Sequence, residues 1–271
     1  MTRIGRAFAW GKKPLFIGFT VAGDPDKSTS IRIARALIAG GTDILELGIP
    51  FSDPVSDGPT IQKAGERALA AGTTPDLVFD IVRDIRKESE VPIVFLTYYN
   101  IVYRRGIDRF YCEAKLAGVD GILIADMPVE ESGEVCEAAA RHEIDPVFLI
   151  TQTTSEERIK KIAEKARGYL YLVAVLGVTG ARDIVSAGAI DLLGRVRKHT
   201  DLPLALGFGI SLPEHAKIYA SAGADGIIVG SAIVDIIERN LKNPDVIVRE
   251  LRDYTEGMKQ ATGSHELTTG K

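Results

Sequence analysis

The feature that most constrains this chain is an alternation. Short, nearly continuous β-branched runs are separated, from Leu15 to Leu241, by longer segments with the period of amphipathic helices. Eight runs read as strands, at 15–21, 43–48, 92–98, 121–125, 146–150, 169–176, 203–208 and 226–230. They are apolar throughout rather than strictly alternating, which marks parallel strands buried on both faces beneath an outer layer of helices. Helical segments at 30–39, 76–88, 107–117, 131–141, 156–166, 189–198 and 214–222 fill the crossovers, and two more, at 233–241 and 245–259, follow the last strand. About eight βα units in some 240 residues predict an α/β fold, a closed (β/α)8 TIM barrel with extra terminal helices. An open doubly wound sheet is the alternative. No linker or charge block divides the pattern, so residues 1–261 are predicted to form a single domain and the polar residues 262–271 a frayed tail.

A local repeat supports this reading. Ala39-Gly40-Gly41-Thr42-Asp43, Ala117-Gly118-Val119-Asp120 and Ala222-Gly223-Ala224-Asp225 each close a helix and launch a strand, with glycine supplying the turn. Proline opens other strands in Val91-Pro92, Asp145-Pro146 and Leu202-Pro203, where a missing N–H does least harm.

Composition removes several function classes. With 45% hydrophobic and 26% charged residues the chain has material for a core, and its net charge of −4 is too small and of the wrong sign to attract nucleic acid or anionic lipid. The basic residues before the first apolar run mimic a secretory signal, but Pro14 and Gly18 interrupt it and the run is needed as the first strand. No other apolar run approaches a membrane span, and the expected location is the cytoplasm. Cys112 and Cys136 fall in helical segments and the four histidines show no metal-ligand spacing, so neither a disulfide framework nor a metal site is expected.

In a barrel of this kind the chemistry sits at the carboxyl ends of the strands. The second strand carries Glu46 between Leu45 and Leu47, which face the other way, so its carboxylate is expected to point into the barrel mouth. Desolvation there raises a carboxyl pKa toward the range of a general acid or base. The alternative is pairing with an inward arginine, although no strand contains Arg or Lys. The Pro- and Gly-rich loop that follows carries Asp53 and Asp57 as possible second carboxylates; either also suits a cap for the helix starting near Pro59. Across the mouth, Gly177-Val178-Thr179-Gly180, Gly207-Phe208-Gly209-Ile210-Ser211 and Gly230-Ser231 read as an amide-lined phosphate cradle, or as plain turns. The dinucleotide fingerprint is absent, and every lysine lies in a helix, a loop or a terminus, which argues against a Schiff-base aldolase.

At these residues the chain resembles the tryptophan synthase α-subunit family. The match runs through Leu45-Glu46-Leu47-Gly48-Ile49-Pro50-Phe51-Ser52-Asp53-Pro54 and Asp57-Gly58-Pro59-Thr60-Ile61-Gln62. It continues in Gly23-Asp24-Pro25, Ala125-Asp126-Met127-Pro128, Gly177-Val178-Thr179-Gly180 and Gly230-Ser231-Ala232-Ile233-Val234. The resemblance implies retro-aldol cleavage of indole-3-glycerol phosphate to indole and glyceraldehyde 3-phosphate, with no cofactor in this chain. It implies Glu46 as general acid/base and Asp57 as acceptor of the indole N–H. By the same resemblance Phe19, Ile61, Leu96, Tyr98, Leu123, Ala125, Leu149 and Phe208 line the indole slot, and inward barrel packing is the alternative for each. Tyr171 lies near the glycerol, Gly180, Gly209, Gly230 and Ser231 hold the phosphate, and the loop bearing Thr179 closes over it. The family works as an αββα complex whose pyridoxal-phosphate (PLP) β subunit receives the indole. Departures from its pattern are Ser56, Ala174-Val175-Leu176 and the threonine-rich end of the fifth strand, Thr151-Gln152-Thr153-Thr154. Competing readings are another phosphate-binding barrel, such as a sugar-phosphate epimerase or isomerase, and a non-catalytic relative kept as an allosteric partner.

Overall fold

A computed structural model describes residues 1–11, 14–173, 187–207 and 209–263 of the chain. Eight parallel strands, β1 (Leu15–Val21), β2 (Ile44–Gly48), β3 (Ile93–Thr97), β4 (Gly121–Ile124), β5 (Asp145–Thr151), β6 (Leu170–Val173), β7 (Leu204–Gly207) and β8 (Gly226–Val229), form a closed barrel in sequence order. Pairing of Leu15 through Gly18 with Gly226 through Val229 closes it, and this excludes the open sheet.

The described helices are α1 (Arg3–Trp10), α2 (Lys27–Ala39), α3 (Pro59–Ala70), α4 (Pro75–Arg86), α5 (Tyr99–Arg105), α6 (Ile107–Ala117), α7 (Gly133–Arg141), α8 (Glu156–Lys165), α9 (Ala187–Arg197), α10 (Pro213–Ser221), α11 (Ser231–Arg239) and α12 (Pro244–Gly263). Local chemistry starts them: the Asp26 carboxylate accepts from Thr29 N at 2.9 Å, and Thr74 caps α4 ahead of Pro75. The sequence reading had no counterpart of α5. It is separated from α6 only by Gly106, whose φ of 86° suits glycine and breaks an otherwise continuous helical stretch.

Strand alternation sorts the core into two. Phe16, Leu45, Leu47, Phe95, Ile122, Leu170 and Leu206 face outward into the layer beneath the helices. Ile17, Ile44, Val94, Leu123, Val147, Tyr171, Ala205 and Ile228 fill the barrel interior. Ile4 and Phe8 of α1 join that interior cluster, with the Phe8 ring 5.8 Å from Tyr169. Burying these two side chains contributes about 2 kcal/mol each and seats α1 across the barrel's amino end.

The repeated Gly-x-Asp turns have a common geometry at that end. Asp43 accepts from Phe16 N at 2.7 Å, Asp120 from Ile93 N at 2.9 Å and Asp225 from Leu204 N at 3.0 Å, so each carboxylate satisfies the opening of a neighbouring strand. Each also meets a cation: Lys259 for Asp43, Arg86 and Arg3 for Asp120, and Arg197 for Asp225. Lys259 lies on α12, so the last helix is fastened to the barrel's base. That helix runs to Gly263, two residues into the segment read as a tail. Thr262 is buried there and donates to Lys259 O at 2.9 Å. Residues 264–271 lie outside the described residues.

Candidate active site

Glu46 is fully buried in the interior of β2, level with Phe19 on β1 and Val94 on β3. Neither carboxylate oxygen has a hydrogen-bond partner among the described residues, so no inward arginine neutralises it. Burial pushes its carboxyl up to about 8. The charged form in turn raises the hydroxyl pKa values of Tyr169 and Tyr171, whose own burial contributes most. The sequence reading aimed this side chain into the mouth. It is instead fully buried and is not among the residues that line the cavity at the barrel's carboxyl end. The Phe19 ring lies against Gly48, the next inward position of β2, and against Gly230; a Cβ at either glycine would come within 2.9 Å of the ring. Two missing side chains thus leave room for the Phe19 ring on the strand beside Glu46.

Asp57 stands on the loop between β2 and α3. Burial pushes its carboxyl up to about 6, opposed by a hydrogen bond from the Tyr98 hydroxyl. That hydroxyl also accepts from Ser56 N at 3.2 Å, and the Tyr98 ring stacks on Phe51 at 5.1 Å. Gln62 Nε2 donates to the Asp57 carbonyl at 2.9 Å, tying the loop to the first turn of α3. The helix cap is Gly58, with no side-chain bond, so Asp57 is free of the capping role. Asp53 is exposed, accepts from Ser52 at 2.6 Å and takes no part in the site.

A cavity of about 700 Å³ opens at the carboxyl end of the barrel. Phe19, Asp57, Ile61, Leu96, Ala125, Leu149, Tyr171, Gly209, Gly230 and Ser231 line it, which brings together ten of the residues singled out by sequence. Tyr98 and Leu123 do not. Tyr98 turns toward the Asp57 loop, and Leu123 belongs to the packed interior. Thr179, Gly180 and Phe208 lie outside the described residues. The sequence reading missed Met127, Val129, Phe148, Thr154, Arg158 and Ile228 on the wall. Most come from the loops and helices after β4 and β5, and the threonine-rich end of β5 was the available signal.

One end of the cavity is suited to an anion. Gly209 has φ 72°, a conformation strained for residues with a side chain, and Gly230 with Ser231 forms the start of α11. No side chain caps that helix, so its first amides are left for a ligand, with the helix dipole behind them. Among the described residues no cluster of three or more His, Cys, Asp or Glu is arranged to hold a metal ion.

The family model described as "Tryptophan synthase alpha chain" matches residues 8–263. The chain belongs to the tryptophan synthase alpha chain family. It is similar to the tryptophan synthase alpha chain of Methanoregula boonei, with 69% identity over 261 residues, covering 96% of this chain and 98% of that one. The alpha chain of Methanothermobacter thermautotrophicus is 46% identical over 249 residues, covering 92% of each. A structure of the tryptophan synthase a2b2 complex from Pyrococcus furiosus superimposes with a TM-score of 0.87 at 40% identity, over 92% of this chain and 99% of that chain. Tryptophan synthase from Mycobacterium tuberculosis gives a TM-score of 0.87 at 31% identity, over 97% and 99%. Membership in the tryptophan synthase alpha chain family makes this chain a lyase of the indole-3-glycerol phosphate cleavage reaction.

Proposed function

We propose that Glu46 and Asp57 divide the chemistry of that cleavage between them. Breaking the bond at indole C3 requires a proton on C3, loss of the proton from the adjacent side-chain hydroxyl, and stabilisation of positive charge on the ring nitrogen. With a pKa of about 8, Glu46 holds its proton at neutral pH and delivers it to C3. The resulting carboxylate takes the hydroxyl proton as the carbon–carbon bond breaks. Its electron pair restores the indole ring, and the hydroxyl-bearing carbon becomes the aldehyde of glyceraldehyde 3-phosphate. Asp57, ionised above about 6, accepts the indole N–H and offsets the charge that develops there. For this the Glu46 carboxyl turns out past Phe19 to join Tyr171 and Asp57 at the cavity wall. Phe19, Ile61, Leu96, Ala125 and Leu149 give the indole its apolar slot, and Gly209, Gly230 and Ser231 hold the phosphate; the family resemblance assigns Phe208 to the slot, Gly180 to the phosphate and Thr179 to the closing loop.

The chain works with a β subunit, to which the cofactor pyridoxal phosphate belongs; the alpha chain has none of its own. The assembly proposed for it is an αββα heterotetramer working in the cytoplasm, in which indole passes to the β subunit for synthesis of L-tryptophan. Among the described residues no helix is long and apolar enough to cross a membrane. Val55 on the Asp57 loop is 81% exposed and Tyr103 on α5 is 65% exposed, which favours a partner surface beside the mouth. The observation that carries the catalytic reading is a buried carboxyl, unpartnered among the described residues, on the strand next to Phe19, which lines the cavity together with Asp57. Indole formation from indole-3-glycerol phosphate, measured with and without β subunit, tests it: turnover that rises on adding the β subunit is expected, and no indole in either case overturns it.

A further inference from the structure

Arg67 on α3 makes a two-pronged ion pair with Asp24, at 2.8 Å from Nε and 2.8 Å from Nη2, and Asp24 is fully buried in the loop after β1. Nη1 of the same guanidinium is 3.9 Å from Glu238 on α11, and Lys63, one turn earlier on α3, reaches that carboxylate at 3.3 Å. The network lies on the outer side of a small apolar contact in which Ile61, Ala64 and Ala68 of α3 meet Phe19, Val21 and Val234. Alanines make such a contact close but weakly specified, because they carry little volume to key one position along the helix. The ion network adds directional contacts that join α3 to the loop after β1 and to α11.

The two helices it joins begin at opposite sides of the cavity. α3 starts at Pro59, directly after the Asp57 loop, and its Gln62 holds the Asp57 carbonyl. α11 starts at Ser231, at the anion-binding end, and is anchored by Ile233, Ile236 and Ile237 in the main core. With α11 fixed by that core, a shift of α3 moves Asp57 and leaves the anion-binding end in place.

We infer that Arg67 is a positioning residue for the cleavage reaction: its bridge from Asp24 to Glu238 sets α3 against α11 and thereby holds Asp57 at the required distance from the phosphate end of the substrate. The inference rests on the role given to Asp57 above.

The test uses the α subunit in complex with its β subunit and compares Arg67→Met, Arg67→Lys, Asp57→Asn and the Arg67→Met/Asp57→Asn double variant. Removing a side chain that placed a reacting group costs on the order of 10- to 100-fold in kcat. Arg67→Met is expected to lose that much while its affinity for glycerol 3-phosphate, which carries the phosphate but no indole, changes less than about twofold. Arg67→Lys keeps the charge without the fork, is expected to recover part of kcat, and serves alone if the methionine variant does not fold. In the Asp57→Asn background Arg67→Met is expected to have no further effect on kcat, because the group it positions is gone. Additive losses, a parallel loss of glycerol 3-phosphate affinity, or wild-type kcat in Arg67→Met and Arg67→Lys overturns the positioning role and leaves Asp57 in place. Wild-type kcat in Asp57→Asn overturns both.

Discussion

Two buried carboxylates, Asp120 at the amino end of the barrel and Glu46 within β2, are held in opposite ways. At the amino end Asp120 is almost fully buried, yet it accepts from Ile93 N and meets both Arg86 and Arg3. Glu46, on β2, is completely buried with neither oxygen paired among the described residues. A desolvated charge is stable only when opposite charge and hydrogen bonds replace water; otherwise the group keeps its proton and gains reactivity. The same residue class is thus committed to stability at Asp120 and left available for chemistry at Glu46. That division is the general one for barrels of this type.

The comparison breaks most visibly at Glu46. Glu46→Gln keeps size and polarity but cannot shuttle a proton, and turnover is expected to fall by roughly 10²- to 10⁴-fold with the fold intact. Steady-state indole formation measures the loss, and near-normal turnover would remove the catalytic half of the contrast.

The other end is broken by Asp120→Ala, which leaves Arg86 without its carboxylate and strands Ile93 N. Taking one partner from a buried pair costs about 3–5 kcal/mol. Denaturant unfolding is expected to show that loss while kcat of the folded enzyme stays close to wild type, the reverse of the Glu46 variant. A smaller effect sharpens the point. Asp43 and Lys259 are each about one-quarter exposed, so Lys259→Met is expected to cost only about 1 kcal/mol and to leave turnover unchanged.

How much of this was legible in the sequence differs between the two ends as well. The strands were readable because runs buried on both faces announce themselves without any tertiary information, and β1 matches its expected limits of 15–21. The Gly-x-Asp turns were visible as a repeat, but their partners Lys259, Arg86 and Arg197 come from distant helices that no local pattern identifies. Glu46 stood out as the carboxylate in an apolar strand. The place of the neighbouring Phe19 ring did not, because it depends on Gly48 and Gly230 from two other segments. Tyr98 was assigned to the indole slot by the family resemblance; its hydroxyl braces Ser56 and Asp57, a contact set by how the loop after β2 folds back. The helix α5 was lost to Gly106, whose turn divides one helical pattern into two.

The unpaired acid also leaves a signature in stability. Its pKa is raised on folding from the ordinary 4.5 to about 8, so its protonated form favours the native state fully below pH 4.5. That contribution, at most roughly 5 kcal/mol, is lost as pH rises through about 8. Glu46→Gln is expected to flatten this part of the stability profile.

The most direct measurement is the titration of Glu46 itself, followed through the side-chain carboxyl carbon in glutamate-labelled protein and assigned with the Glu46→Gln variant. A midpoint near pH 8 is the result expected of a carboxyl buried without a partner. A midpoint near pH 4.5, the value of a solvated or paired glutamate, would contradict the division between the two ends of the barrel.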